Sequence, residues 1–179
     1  MSNRTFGVYS LTKMAICLSL LCVSAYITIP VPFASAMLSA QTIVLNLAAF
    51  ILRARQTLVV MLIYLLLGAI GIPVFVGGSC GIGEFFGPRG GFLFAFAVAY
   101  PLISLLKGKK HSVKRYFLTA VAVGIPITYL GAVISVMYFM QVDLKAAFLI
   151  TVLPFLPGDV IKAFIASIIG VRINNVRSD

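Results

Sequence analysis

The sequence predicts an all-α integral membrane protein: a single membrane domain over residues 1-179, built as a bundle of six transmembrane helices with the N and C termini cytoplasmic. Three observations carry this. Hydrophobic residues make up 61% of the chain against 10% charged, and mean hydropathy is +1.13, more apolar material than the interior of a small soluble domain can absorb. The apolar residues fall into long runs separated by short gaps. The basic residues then sort to one side of those runs.

The runs are Leu11 to Ile29, Met37 to Leu52, Thr57 to Ile70, Gly91 to Leu106, Tyr116 to Met140 and Ala146 to Val171. Several fall short of the roughly 20 residues that cross a bilayer straight. The third is completed by part of the loop that follows it, and the fifth is long enough to tilt. Lys13, the first apolar run and Ala34-Ser35-Ala36 together have the pattern of a cleaved leader. An uncleaved first span is the favoured expectation, because Pro30 and Pro32 suit a structured loop and the next run follows almost at once.

Charge tests the count. With the N terminus inside, the inner segments hold Arg4, Lys13, Arg53, Arg55, Lys107, Lys109, Lys110, Lys114, Arg115, Arg172 and Arg177, eleven of the fourteen basic residues. The outer loops hold Arg89 and Lys145, and Lys162 lies within the last span. The net charge of +10 thus reads as orientation in a membrane rather than as a nucleic-acid surface. Cys17, Cys22 and Cys80 form no disulfide framework and read as packing residues.

Asp159 and Lys162 are the most informative residues. An ionised side chain within an apolar span costs roughly 2.5 to 3.5 kcal/mol on insertion scales, so such groups usually serve a ligand. They follow Pro154-Phe155-Leu156-Pro157-Gly158, which predicts an irregular stretch and a helix starting at Asp159. Spacing of i,i+3 sets both head groups on one face. Irregular backbone at membrane depth must line protein or a water-filled cavity, so the break predicts a pocket. A buried structural ion pair or a proton relay is the alternative.

The segment from Gly71 to Gly91 carries eight glycines with interleaved phenylalanines, including Phe75, Gly77 and Gly78, and ends near Arg89. It reads as a lid or re-entrant loop over an apolar ligand, or as a tight loop sealing the bundle. Arg89 has three partners open to it: an acidic ligand, Glu84, or a lipid head group. Gln41 and Tyr129 lie where each reaches an outward cavity, although hydrogen bonds between helices are the commoner use of such residues. Ala15 and Ser19 form a small-xxx-small pair that lets a partner subunit or another helix approach closely. His111, among basic residues, is expected to be solvated.

The chain has no phosphate-binding G-x-x-x-x-G-K-[ST] loop, no H-E-x-x-H and no Cys/His cluster. No metal site, no cofactor and no enzymatic activity are expected.

With these motifs in place, the chain resembles the BioY proteins, the biotin-binding S components of energy-coupling-factor (ECF) transporters. The residues that carry the resemblance are Pro30-Val31-Pro32 with Gln41-Thr42, Gly71-Ile72-Pro73-Val74-Phe75 with Gly77-Gly78, Gly87-Pro88-Arg89-Gly90-Gly91-Phe92, Tyr129-Leu130-Gly131, and above all Pro154 to Ala163 around Asp159 and Lys162. The resemblance implies a six-helix bundle in the cell membrane that binds biotin from outside and works with a transmembrane coupling subunit and two cytoplasmic ATPases. It implies further that Asp159 accepts from a ureido N-H of biotin and that Lys162 donates to the ureido oxygen or to the carboxylate. Arg89 stands where the family commonly has a small hydroxyl residue, and either grips the valerate or caps the loop. The expected function is therefore substrate capture for biotin uptake. The alternative is a stand-alone transporter of a small polar or acidic solute driven by an ion gradient.

Overall fold

The structure, a computed structural model, describes residues 7–29, 38–108 and 111–176. Arg4, Pro30, Pro32, Ala34-Ser35-Ala36, Lys109, Lys110 and Arg177, used above for the leader pattern and the charge count, lie outside the described residues.

The described residues are almost entirely helical. The helices are α1 (Val8–Ser24), α2 (Gln41–Ile51), α3 (Ala54–Ala69), α4 (Gly90–Leu106), α5 (Val113–Met140), α6 (Leu144–Thr151) and α7 (Leu156–Val176). A two-residue antiparallel ladder, β1 (Thr28–Ile29) against β2 (Leu38–Ser39), pairs Thr28 with Ser39 and Ile29 with Leu38.

Seven helices among the described residues, rather than six, is a correction with a local cause. Pro154 disfavours helical backbone at Leu153 and lacks the N-H that would continue the ladder, so α6 stops at Thr151. The chain restarts as α7 after a bend of 47°. The new helix begins at Leu156, not at Asp159 as expected. Pro157 and Gly158 lie inside its first turn, where the missing proline N-H would have had no helical partner anyway. Taken as one broken span, α6 and α7 recover the sixth apolar segment of the sequence.

By length and composition α5 can cross a membrane, and the pair α6–α7 passes the same test together. The remaining helices are apolar but shorter. Outward faces stay apolar on long and short helices alike: Leu66 of α3, Phe94 of α4, Leu130 of α5 and Ile161 of α7 are each more than half exposed. Helices that are hydrophobic all round need an apolar solvent outside as well as a core inside.

Helix α2 is only 11 residues, about 16 Å, and it is pinned at its C-terminal end. Lys107 Nζ donates to the carbonyls of Ala49 (2.8 Å), Phe50 (2.7 Å) and Leu52. Ser104 Oγ also donates to Leu52 O, and Asn174 Nδ2 to Phe50 O. Carbonyls at a helix end have no intrahelical donor, and a cation there also meets the negative end of the helix dipole. This clamp joins α2 to α4 and α7, and it fixes the opposite end of α2, with Gln41 and Thr42, in the wall of a cavity.

The other wall depends on close approach. Gly91 of α4 and Gly131 of α5 meet so tightly that a Cβ on Gly91 would lie 1.9 Å from the Gly131 carbonyl oxygen. Within α5 the turn Ala120–Gly124 is π-helical, directly before Pro126, whose missing N-H breaks the regular ladder there.

Two smaller expectations are corrected. Cys80 is exposed, so only Cys17 and Cys22 pack as predicted. His111 is not merely solvated: its Nδ1 lies 2.9 Å from the Tyr116 hydroxyl.

Candidate functional site

Asp159 and Lys162 project from the first turns of α7, one turn apart, and Lys162 Nζ donates to Asp159 Oδ1 at 3.2 Å with side chains 16% and 17% exposed. Thr42 Oγ1 donates to the same oxygen at 3.3 Å, and Tyr129 OH donates to Oδ2 at 2.8 Å. Three donors fill three of the roughly four acceptor positions of a carboxylate, so Asp159 retains capacity for one more N-H. Lys162 likewise uses one of its three N-H groups on Asp159.

The pair opens on a cavity of about 90 Å³. Phe75, Phe92, Phe96 and Phe155 supply apolar walls, while Gln41, Thr42, Arg89, Tyr129, Asp159 and Lys162 supply polar groups. A few converging polar groups in an apolar cleft are the usual make-up of a small-molecule site. Gln41 is 1% exposed; its Nε2 donates to the Tyr64 hydroxyl, which in turn donates to Val74 O at 3.2 Å. Its Oε1 is buried and has no hydrogen-bond partner among the described residues.

The glycine-rich segment forms one side of the cavity. It folds as two short 3-10 turns, Val76–Gly78 and Ile82–Phe86. A bridge pairs Phe75 with Ser79. Phe75, Val76, Ser79, Glu84 and Arg89 face the cavity. Gly77 and Gly78, expected at the site, do not line it. Both take left-handed backbone (φ 76° and 75°), which turns the chain so that their neighbours Val76 and Ser79 face inward. They contact the chain just after α1 instead: Gly77 N donates to Ala25 O, and Gly78 lies against the ring of Tyr26, whose hydroxyl donates to Pro73 O at 2.6 Å. Arg89 approaches Glu84 at only 3.9 Å with both side chains partly exposed, a weak pair that leaves the guanidinium available.

The structure thus brings together Asp159, Lys162, Gln41, Tyr129, Phe75 and Arg89, and sets Gly77 and Gly78 behind the wall. It adds Thr42, Phe92, Phe96 and Phe155, which sequence reasoning missed. One signal for Thr42 existed, since a hydroxyl next to Gln41 shares its end of the helix; Phe92 and Phe155 lie in motifs already singled out, Phe155 in the break itself, whereas Phe96 had no signal within a uniformly apolar run. Ala15 and Ser19 are exposed on α1, so the close approach they permit is not used within the described bundle.

Apolar helices with lipid-compatible outer faces, a broken final span and an ion pair at the break opening on a cavity define a membrane protein of the solute-binding kind. The BioY family model matches residues 1–179, and the chain belongs to the BioY family. It is 38% identical to the biotin transporter BioY2 of Lactococcus lactis subsp. cremoris (strain MG1363), over 93% of this chain and 90% of that one. It is 33% identical to the biotin transporter BioY of Thermotoga maritima, over 93% and 96% of the two chains. Its fold matches a crystal structure of the S-component for biotin from an ECF-type ABC transporter with TM-score 0.88, covering 98% of this chain and 95% of that one at 24% identity.

Proposed function

We propose that this chain is the substrate-binding membrane subunit of a biotin uptake system: it captures biotin from outside the cell and hands it to an ATP-driven energy-coupling module. Relatives at 33 to 38% identity that span nearly the whole chain are named biotin transporters, which supports the substrate. The shared fold with a biotin S-component supports the architecture. In this reading the chain is a single multi-pass domain of the plasma membrane with both termini cytoplasmic. Its partners are a transmembrane coupling subunit and two cytoplasmic ATPases, and Ala15 and Ser19 on α1 face the coupling subunit. It performs no chemistry of its own, and a stand-alone ion-gradient carrier is the less favoured reading.

The observation that carries the proposal is the Asp159–Lys162 pair beside an open cavity. Biotin presents two ureido N-H donors, a ureido carbonyl, an apolar fused ring and a carboxylate. The free acceptor position on Asp159 and the orphan oxygen of Gln41 suit the two N-H groups; Lys162 suits the ureido oxygen or the carboxylate. Phe75, with Phe92 and Phe96, suits the ring, and Arg89 suits the valerate end. Calorimetric titration of the purified protein tests this. Saturable biotin binding that Asp159→Asn weakens is expected; no binding by the parent protein, or an unaltered Asp159→Asn, refutes it.

A further inference from the structure

At the end of α2 away from the candidate site lies another, larger cavity, of about 330 Å³. The last residues of α2 line it, together with Arg53, Lys107, His111 and Asn174. It holds two cationic side chains and a histidine, and no carboxylate. Acid is missing from this whole end of the described residues. Of the chain's four acidic residues, Glu84 and Asp159 line the candidate site, Asp143 caps α6 beyond the far end of α5, and Asp179 lies outside the described residues. Arg115 extends the positive charge to the edge of the cavity: its guanidinium covers Gly108, next to Lys107, so closely that a Cβ there would collide with it.

The polar groups of this cavity are arranged, not merely accumulated. Lys107 spends its N-H groups on the carbonyls of Ala49, Phe50 and Leu52, so it covers the negative end of α2 and contributes charge rather than donors. Asn174 Nδ2 donates to Phe50 O and to the Tyr116 hydroxyl, both at 3.0 Å. The Tyr116 ring, stacked on Phe50 with centroids 4.6 Å apart, then turns its own proton toward His111 Nδ1 at 2.9 Å. That network assigns the proton of the neutral imidazole to Nε2. His111 is thereby oriented through a buried tyrosine and keeps an N-H for a ligand. Arg53, exposed beside it, offers a planar fork of donors.

We infer that this cavity is a binding site for a phosphate group, carried by the head group of an acidic phospholipid or by a soluble phosphate compound. Arg53 and His111 Nε2 supply charge-assisted and neutral hydrogen bonds to its oxygens, and Lys107 and Arg115 supply the surrounding positive field. Basic pockets between membrane helices on the cytoplasmic side take acidic head groups, and in the orientation proposed above this end faces the cytoplasm. Orientation alone accounts for a surplus of Lys and Arg at this end; it does not call for a cavity, or for a histidine held by a buried hydroxyl. The inference does not depend on which substrate the candidate site takes.

The test uses the full-length protein in nanodiscs of phosphatidylcholine alone, or of an equal mixture of phosphatidylcholine and phosphatidylglycerol. Inorganic phosphate is titrated into the first kind. One of the two anions is expected to raise the thermal unfolding midpoint by about 3 °C or more. A gain in the mixed nanodisc identifies a lipid head group as the source, and a gain with inorganic phosphate identifies a soluble compound. Arg53→Gln combined with His111→Gln is expected to lose most of that gain, and Arg53→Gln alone reads the same loss should the histidine variant fold poorly. Lys114→Gln combined with Arg172→Gln removes at least as much charge from exposed positions at the same end, outside the cavity, and is expected to keep the gain. A midpoint that neither anion moves overturns the inference. So does a gain that the Arg53 variants retain, or one that both pairs of substitutions lose alike, which is the general attraction of a basic surface.

Discussion

Phe75 occupies the space that a side chain on Gly68 would need: a Cβ built on Gly68 of α3 would lie 2.0 Å from Phe75 Cζ and 2.3 Å and 2.5 Å from the two Cε atoms. The ring, 2% exposed, is held edge-on by Tyr64 and Phe85 with centroids 5.5 Å and 5.7 Å away. A glycine on one helix therefore sets the depth of the aromatic wall of the candidate site. Gly68→Ala adds a methyl group where no flexible end can yield. It is expected to displace Phe75, cost about 1 to 3 kcal/mol of stability and weaken biotin binding about tenfold or more. Adding Phe75→Leu to Gly68→Ala should recover stability in thermal unfolding without restoring full affinity.

The Asp159–Lys162 pair allows function and structure to be separated. Removing one member leaves the other charge without its partner in a low-dielectric setting, whereas replacing both with apolar groups removes the unpaired charge as well. Asp159→Asn and Lys162→Met alone should each lower the unfolding temperature and weaken biotin by at least about 30-fold. The double variant Asp159→Leu with Lys162→Met should unfold near or above the parent temperature yet remain unable to bind in calorimetry. A double variant that binds biotin as well as the parent would make the pair purely structural.

At the far end of α2, Lys107 should be a stability residue and not a binding residue. Lys107→Met keeps the apolar stem but withdraws its hydrogen bonds from Ala49, Phe50 and Leu52 carbonyls. Leu52 and Phe50 keep Ser104 and Asn174 as donors, so the expected cost is about 3 kcal/mol rather than the loss of three full charged hydrogen bonds. Thermal unfolding measures this, and biotin titration of the folded protein should give a Kd within about twofold of the parent, as expected for a site at a distance.

Much of this was legible along the chain. Asp159 and Lys162 stand out because ionised residues are rare in an apolar span, and that rarity is a property of sequence composition. The break beside them was legible as well, but not its position. Pro154 and Pro157 look alike in sequence, yet the first ends α6 while the second fits inside the first turn of α7. The same limit explains Gly77 and Gly78: their freedom to adopt positive φ was readable, but not that the freedom turns Val76 and Ser79, rather than the glycines, toward the cavity.

By itself, then, the sequence determined the membrane class, most of the helical segments and the two charges around which the candidate site is built. These follow from hydrophobic free energy and the cost of burying charge, which are summed residue by residue and need no knowledge of neighbours. Tertiary structure alone decided which side chains share a cavity and that Thr42 and Tyr129 complete the shell of Asp159. Those outcomes depend on where helices cross, at contacts such as Gly91 with Gly131 and at the clamp of Lys107 on α2, and a crossing is a relation between segments far apart in the chain.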